Sequence, residues 1–173
     1  MSETLEPALP ADLDRTAETL MRRLCKAELK VATAESCTGG MLASLLTDIE
    51  GAGHAFDRGF VTYDAKAKQD MLGLTAEMTD RNAAVTSAVA RAMAEGALQN
   101  SSADIALSVT GFAGPAGDGQ EEGLVHFACA RRGQTTTLRE EHFGAIGRGP
   151  VRIESLRVLL EMLDDALTTE DKS

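Results

Sequence analysis

The chain has no tryptophan, one tyrosine and five phenylalanines among 173 residues. With 3% aromatic residues it lacks the stacking platform on which proteins hold unpaired nucleobases. Cations are also short: 17 Lys and Arg stand against 27 Asp and Glu, a formal net charge of -10. So acidic a surface repels phosphate backbones and anionic lipid, which argues against general nucleic-acid and membrane-surface binding but leaves room for a local basic pocket holding one phosphate. The cysteines, Cys25, Cys37 and Cys129, are odd in number and widely spaced. Without a Cys-x-x-Cys pair they indicate neither a disulfide framework nor a zinc site, and no metal is expected. Cys25 and Cys129 sit among apolar neighbours and read as buried fillers. No apolar run approaches the roughly 20 residues of a membrane span. The first residues, Met1 to Pro7, are acidic and lack the basic and apolar segments of a secretion signal, so a cytoplasmic location is the default expectation.

What is present is a globular composition, 43% hydrophobic and 25% charged, on a chain long enough for one domain with a full core. Residues 1–11 read as a flexible arm, 12–167 as a single domain and 168–173 as a polar tail. Leu13, Ala17, Leu20, Met21 and Leu24 recur at helical spacing and predict a helix from about Pro10 to Glu28. A short β-leaning segment, Lys30 to Ala34, leads into a polar turn, and a helix follows Gly40 to about Thr47. A second strand lies within Phe56 to Tyr63. Asp64 reads as the cap of a helix that stops at Gly73. A further helix is expected from Asn82 to Leu98, whose small-residue face suits close packing in the core or between subunits. Ile105 to Thr110 reads as a buried central strand ending in the glycine-rich turn Gly111 to Gly119. Gly123–Ala130 and Thr135–Phe143 read as an antiparallel hairpin, and Pro150–Leu167 as the last helix. Strands interleaved with helices predict an α/β fold, three-layer α/β/α, with a mixed, mostly parallel sheet covered on both faces. In such sheets, sites lie at the carboxyl ends of strands. The ends at Glu35-Ser36, Tyr63-Asp64 and Thr110-Gly111 are therefore expected to converge.

The stretch richest in chemistry is Ala32-Thr33-Ala34-Glu35-Ser36-Cys37-Thr38-Gly39-Gly40-Met41, a strand, a polar turn and a helix start. Ser36 is a candidate nucleophile, and Gly39 and Gly40 would let a ligand approach the backbone. A helix N-terminus with free N–H groups suits a phosphate or an oxyanion. The same residues also make an ordinary capped turn. A serine needs a base. Of the histidines, His54 falls in a loop and His126 and His142 on the hairpin strands, and Gly-x-Ser-x-Gly is absent. Lysine is the alternative: Lys66 and Lys68 both follow the second strand, and either could equally lie on a solvated helix face. A lysine base needs burial or a nearby cation to lose its proton. Tyr63, five residues before Lys68, could hold the serine hydroxyl or relay its proton. Cys37 is a rival nucleophile, with no histidine placed to ionise it.

Three motifs, Ala34-Glu35-Ser36-Cys37-Thr38-Gly39-Gly40, Gly59-Phe60-Val61-Thr62-Tyr63 with Ala67-Lys68 and Leu72-Gly73-Leu74, and Val109-Thr110-Gly111-x-Ala113-Gly114-Pro115, resemble the CinA carboxyl-terminal domain family in order and spacing. The resemblance covers about residues 12 to 167 and looks like the family's stand-alone form. It implies a nicotinamide mononucleotide amidohydrolase that needs no cofactor or metal, with Ser36, Tyr63 and Lys68 catalytic. Glu35, Cys37, Thr38, Gly39, Gly40, Thr110, Gly111, Ala113, Gly114 and Arg148 are then expected at the substrate, with Arg152 a further candidate for its phosphate; Glu35 could instead orient Thr38 or Lys68 or cap a turn, and both arginines could equally form a salt bridge at the helix start. The substrate partner would be a small molecule, with no nucleic acid and no membrane, and a homo-oligomer is expected. Two segments depart from the family pattern. Gln120-Glu121-Glu122-Gly123-Leu124 replaces a Lys-Pro-Val-Gly stretch, and Ile146-Gly147-Arg148-Gly149-Pro150-Val151-Arg152 keeps both arginines of a Gly-Asp-Arg-x-x-Val-Arg motif but not the aspartate. The alternatives are a non-catalytic nucleotide-binding module tied to competence or DNA damage, and an amidase for another small amide.

Overall fold

The computed structural model describes residues 9–80 and 84–168. Five strands form one sheet in the order β2-β1-β3-β4-β5: β1 (Val31–Glu35), β2 (Phe56–Val61), β3 (Ile105–Gly111), β4 (Leu124–Arg131) and β5 (Thr137–His142). β1 pairs in parallel with both β2 and β3. The hairpin β4–β5 then adds two antiparallel ladders. Because β4 alone reverses, β5 again runs with β1, β2 and β3, and the sheet is mixed but mostly parallel in direction. Five α-helices accompany it: α1 (Ala11–Ala27), α2 (Met41–Thr47), α3 (Ala65–Leu72), α4 (Ser87–Gln99) and α5 (Arg148–Thr168).

The alternation of side chains along β1 divides the core into two layers. Val31 joins Leu13, Leu20, Leu24, Leu42, Leu45, Leu156 and Leu159 on the α1, α2, α5 side. Ala32 and Ala34 join Phe60, Leu72, Val89, Met93 and Ala97 on the α3, α4 side. The three-layer arrangement expected from the sequence is thus present, and the element boundaries fall within a few residues of expectation. α5 begins at Arg148, two residues before Pro150, which brings Arg148 into the helix's first turn. The helix expected from Asn82 begins at Ser87, capped by the Thr86 hydroxyl, which accepts from the Val89 N–H at 3.3 Å; Asn82 itself lies outside the described residues. Of the arm expected at 1–11, residues 1–8 lie outside the described residues, Leu9 is buried in the core and Ala11 opens α1.

The small-residue face of α4 packs inside the chain. A Cβ added at Gly96 would stand 2.1 Å from the Leu72 carbonyl oxygen, so the ends of α3 and α4 meet backbone to backbone. On the hairpin side, Ala90 and Ala94 lie against Ala128 and Ala130 of β4. Arg132, just after β4, donates to the carbonyls of Leu98, Ser101 and Ala103 and so ties the end of α4 to the sheet.

Candidate active site

The β1 strand is buried throughout, and its last residue, Glu35, has no exposed surface. α2 starts at Gly40 (φ +93°), which offers no capping side chain. Glu35 supplies the cap from the preceding strand. Its carboxylate accepts from the N–H groups of Leu42 (3.1 Å) and Ala43 (2.8 Å) and from the Thr38 hydroxyl (2.6 Å). These are the donors an anion would otherwise claim at a helix start. The helix N-terminus that the sequence offered to a phosphate or oxyanion is therefore already occupied by a carboxylate of the chain itself. Thr38 is buried with Glu35, and Gly39 and Gly40 sit against Arg152 and Val61. The structure therefore does not bring Glu35, Thr38, Gly39 or Gly40 to the cleft described next, because Glu35 folds the turn back onto α2.

A cleft of about 290 Å³ opens on the other side of the same turn. Ser36, Cys37, Tyr63, Lys68, Thr110, Gly111, Ala113, Gly114 and Arg148 all line it, so the three strand ends converge as topology requires. Val85, Phe112 and Pro115 complete the wall. Ser36 is fixed at the backbone: its N–H donates to Val109 of β3 (3.1 Å), and its carbonyl accepts from Gly39 (3.2 Å). Thr62 continues the β1–β2 ladder by donating to the Glu35 carbonyl at 2.8 Å, which delivers Tyr63 to the cleft rim, 66% exposed. Asp64 caps α3, accepting from the Lys66 N–H at 2.5 Å. The cap sets the helical phase that separates the two candidate lysines. Lys66 points outward in an ion pair with Asp70, whereas Lys68, half a turn on, is buried.

Burial lowers the Lys68 pKa from the ordinary lysine value. Cys37 and Asp64 oppose this, but Cys37 does so only as a thiolate, and burial pushes that thiol up to about 12. Cys37 is accordingly a neutral wall residue rather than a nucleophile. Thr110 donates its hydroxyl to the Ala84 carbonyl (3.3 Å), holding the segment that carries Val85. Gly111 has no room for a side chain, since a Cβ would lie 2.7 Å from the Leu124 carbonyl oxygen on β4. Arg148 lays its guanidinium over Gly114, where a Cβ would stand 2.6 Å from its nitrogen. Arg152, one helical turn further, does not reach the cleft and donates from Nε to the Cys37 carbonyl at 2.8 Å.

A second group contains serine, histidine and glutamate, and its geometry rules out a catalytic relay. Ser87 Oγ lies 3.1 Å and Glu140 Oε2 3.2 Å from His126, both at Nδ1. A relay needs the base and the orienting carboxylate on opposite ring nitrogens. Among the described residues no cluster of three His, Cys, Asp or Glu side chains could hold a metal ion.

The CinA C-terminal domain family model matches residues 13–167. The chain belongs to this family. The CinA superfamily includes solved structures of the same fold. A competence/damage inducible protein from Agrobacterium tumefaciens superposes with a TM-score of 0.87 at 42% identity, covering 92% of this chain and 98% of that one. A CinA superfamily protein from Escherichia coli gives 0.81 at 35% identity, covering 87% and 88%. Among sequence relatives, nicotinamide-nucleotide amidohydrolase PncC of E. coli K12 is 40% identical over 156 residues, 88% of this chain and 93% of PncC. A CinA-like protein of Akkermansia muciniphila is 49% identical over 115 residues, 65% of this chain. That match spans only 28% of the Akkermansia protein. A CinA-like protein of Syntrophobacter fumaroxidans is likewise matched over 35% of its length. The CinA-like relatives are thus much longer than the shared domain, whereas PncC is nearly coextensive with it.

Proposed function

We propose that this CinA-family domain hydrolyses the carboxamide of nicotinamide mononucleotide, giving nicotinic acid mononucleotide and ammonia. The observation that carries this reading is the meeting of Ser36, Tyr63 and a buried, charge-disfavoured Lys68 in one cleft with the Thr110–Pro115 turn and Arg148. The near-coextensive similarity to PncC supports the choice of substrate.

Neutral Lys68 takes the proton from the Ser36 hydroxyl, directly or through the Tyr63 phenol. The serine oxygen bonds to the carboxamide carbon, and the carbonyl electron pair moves to oxygen. The Cys37 N–H, in the peptide next to Ser36, stabilises that oxyanion; it makes no hydrogen bond to another backbone group among the described residues. The C–N bond then breaks, with the proton held by Lys68 or Tyr63 passing to nitrogen as ammonia departs. Water adds to the acyl-serine, its proton returns through Lys68, and the carboxylate product leaves with Ser36 restored. Arg148, exposed on the cleft wall and free of ion pairs among the described residues, meets the phosphate. Thr110, Gly111, Ala113 and Gly114 shape the ribose end. Glu35, Thr38, Gly39 and Gly40 act on the turn's shape rather than on the ligand.

Ammonia release from nicotinamide mononucleotide, measured for the wild type and Ser36→Ala, tests this. Turnover by the wild type and a loss of about 10⁴-fold or more in the variant are expected. Binding without turnover by the wild type favours the nucleotide-binding alternative and sinks the proposal. Turnover that survives Ser36→Ala removes the serine mechanism alone.

A further inference from the structure

Two arginines stand one turn apart on α5 and do different things. Arg148 lines the cleft, whereas Arg152 does not. Arg152 is half-buried and reaches across the fold to the Cys37 carbonyl, which accepts from its Nε at 2.8 Å. Its outer guanidinium nitrogen covers Gly39, 3.5 Å from where a Cβ would stand. Glu35, the carboxylate nearest in sequence to this turn, is already committed to Thr38, Leu42 and Ala43. Among the described residues Arg152 has no carboxylate partner, so a guanidinium taken largely out of water is spent on one backbone carbonyl. That arrangement makes little sense as surface charge and good sense as an anchor.

We propose that Arg152 is a positioning residue that fixes the nucleophilic turn by holding the Cys37 carbonyl against α5. A trans peptide is planar, with its C=O and N–H on opposite sides. The Ser36 carbonyl is tied to the Gly39 N–H and the Cys37 carbonyl to Arg152. The first tie sets the plane that carries the Cys37 N–H, which faces away from Gly39, and the second sets the next plane, which carries the Thr38 N–H and holds Cys37 from its other side. Without the second tie, the Cys37–Thr38 peptide can rotate, and the short turn that carries the Cys37 N–H loses one of its two backbone ties and its fixed position beside the serine. Arg152 also places a positive charge beside the turn, felt at Cys37, whose thiol it draws down against the larger effect of burial. This role differs from reading the substrate's phosphate. Its kinetic half rests on the amidohydrolase reading.

The test uses Arg152→Met and, as a charge-preserving control that cannot reproduce the Nε bond, Arg152→Lys. Amide hydrogen exchange of the whole chain, followed by mass spectrometry, reads the anchor with no substrate present. Peptides covering Ser36 to Gly40 are expected to exchange about tenfold faster in both variants, while those covering β3 keep wild-type rates. With nicotinamide mononucleotide, kcat is expected to fall about 10- to 100-fold with KM within about twofold, as misplacement of catalytic groups produces. Unchanged exchange in the turn overturns the proposal, whatever the kinetics. A raised KM at constant kcat also overturns it, since that is the signature of a phosphate contact, as does faster exchange with unaltered kcat. Should Arg152→Met fail to fold, Arg152→Lys alone decides between these outcomes. If the wild type turns over no nicotinamide mononucleotide, the substrate reading fails, and the exchange data still decide the anchor.

Discussion

The two sides of the β1 turn differ in how completely their polar groups are satisfied. On the α2 side Glu35 has no exposed surface, and three donors of the turn and helix meet its carboxylate. On the α3, α4 side Lys68 is nearly as buried, yet burial has moved its pKa toward the neutral form. Adjacent residues, Glu35 and Ser36, thus face opposite fates. The closed side uses its charge to hold backbone, and the open side presents a serine hydroxyl and a buried amine to the cleft. Arginines repeat the contrast, with Arg152 bonded to the turn and Arg148 facing the cleft. A buried titratable group is therefore informative by its partners, not by its burial alone.

The largest effect that tests this contrast belongs to Lys68. Lys68→Met is expected to lower kcat for nicotinamide mononucleotide by about 10²- to 10⁴-fold. It should also abolish the rising limb of the pH–rate profile, which in the wild type lies below the ordinary lysine value of 10.5. Stability should move the opposite way. The folded-state pKa lies below that of the unfolded chain, so the unfolded state binds the proton more tightly and stability rises with pH between the two values. Below that window the buried amine costs stability. Removing it should raise the melting temperature at neutral pH, by a margin that closes as pH approaches 10.5. A lysine that is only structural would give a lower melting temperature and an unchanged limb.

Glu35 should give the converse, a large loss of stability. Glu35→Ala strands the N–H groups of Leu42 and Ala43 and the Thr38 hydroxyl in the interior. A loss of about 3 kcal/mol in chemical denaturation is expected. Glu35→Gln keeps one acceptor oxygen but turns an amide toward a donor, and should cost about half as much. If either variant folds with wild-type stability but no longer binds nicotinamide mononucleotide, Glu35 belongs to the open side and the contrast fails.

Much of this was legible in the sequence because period and punctuation are local signals. Apolar spacing located α1 and α5, Asp64 and Gly73 bounded α3, and the β-leaning run at 30–34 and the apolar run at 105–110 marked the central strands to within a residue. Convergence of Ser36, Tyr63, Lys68 and Thr110 followed from strand ends in a parallel sheet, and the resemblance carried by three motifs supplied the choice of Lys68 over Lys66. The phase of α3, set by the Asp64 cap, now gives that choice a physical basis. For Glu35 the sequence left a place at the substrate, a contact to Thr38 or Lys68 and a turn cap all open, although a local signal favoured the cap. A helix that starts on Gly40 has no capping side chain of its own, and a carboxylate five residues upstream, at the end of a buried strand, is the natural donor's partner. Arg152 could not be read this way. Its bond to Cys37 spans 115 positions, and nothing local distinguishes it from Arg148. Val85 and Phe112 carry no chemical signature at all: Val85 is brought to the wall by the Thr110 bond to the Ala84 carbonyl, and Phe112 by its N–H bond to Leu124 just past β3.

The smallest effect concerns a group that neither side uses. Thr33 lies two residues before Glu35 on the same face of β1, is fully buried, and its hydroxyl has no hydrogen-bond partner among the described residues. Its oxygen packs 3.0 Å from the position a Cβ would take on Gly59 of β2. Valine has the same branching and an equal liking for strands, so Thr33→Val changes little except the orphaned hydroxyl. Removing an unsatisfied buried hydroxyl should stabilise the chain by about 1 kcal/mol, read as a higher denaturation midpoint at constant slope. Activity should not change, because the side chain faces the closed side of the turn. A loss of stability would mean that the Thr33 hydroxyl does find a partner, and that the closed side is satisfied down to its last polar atom.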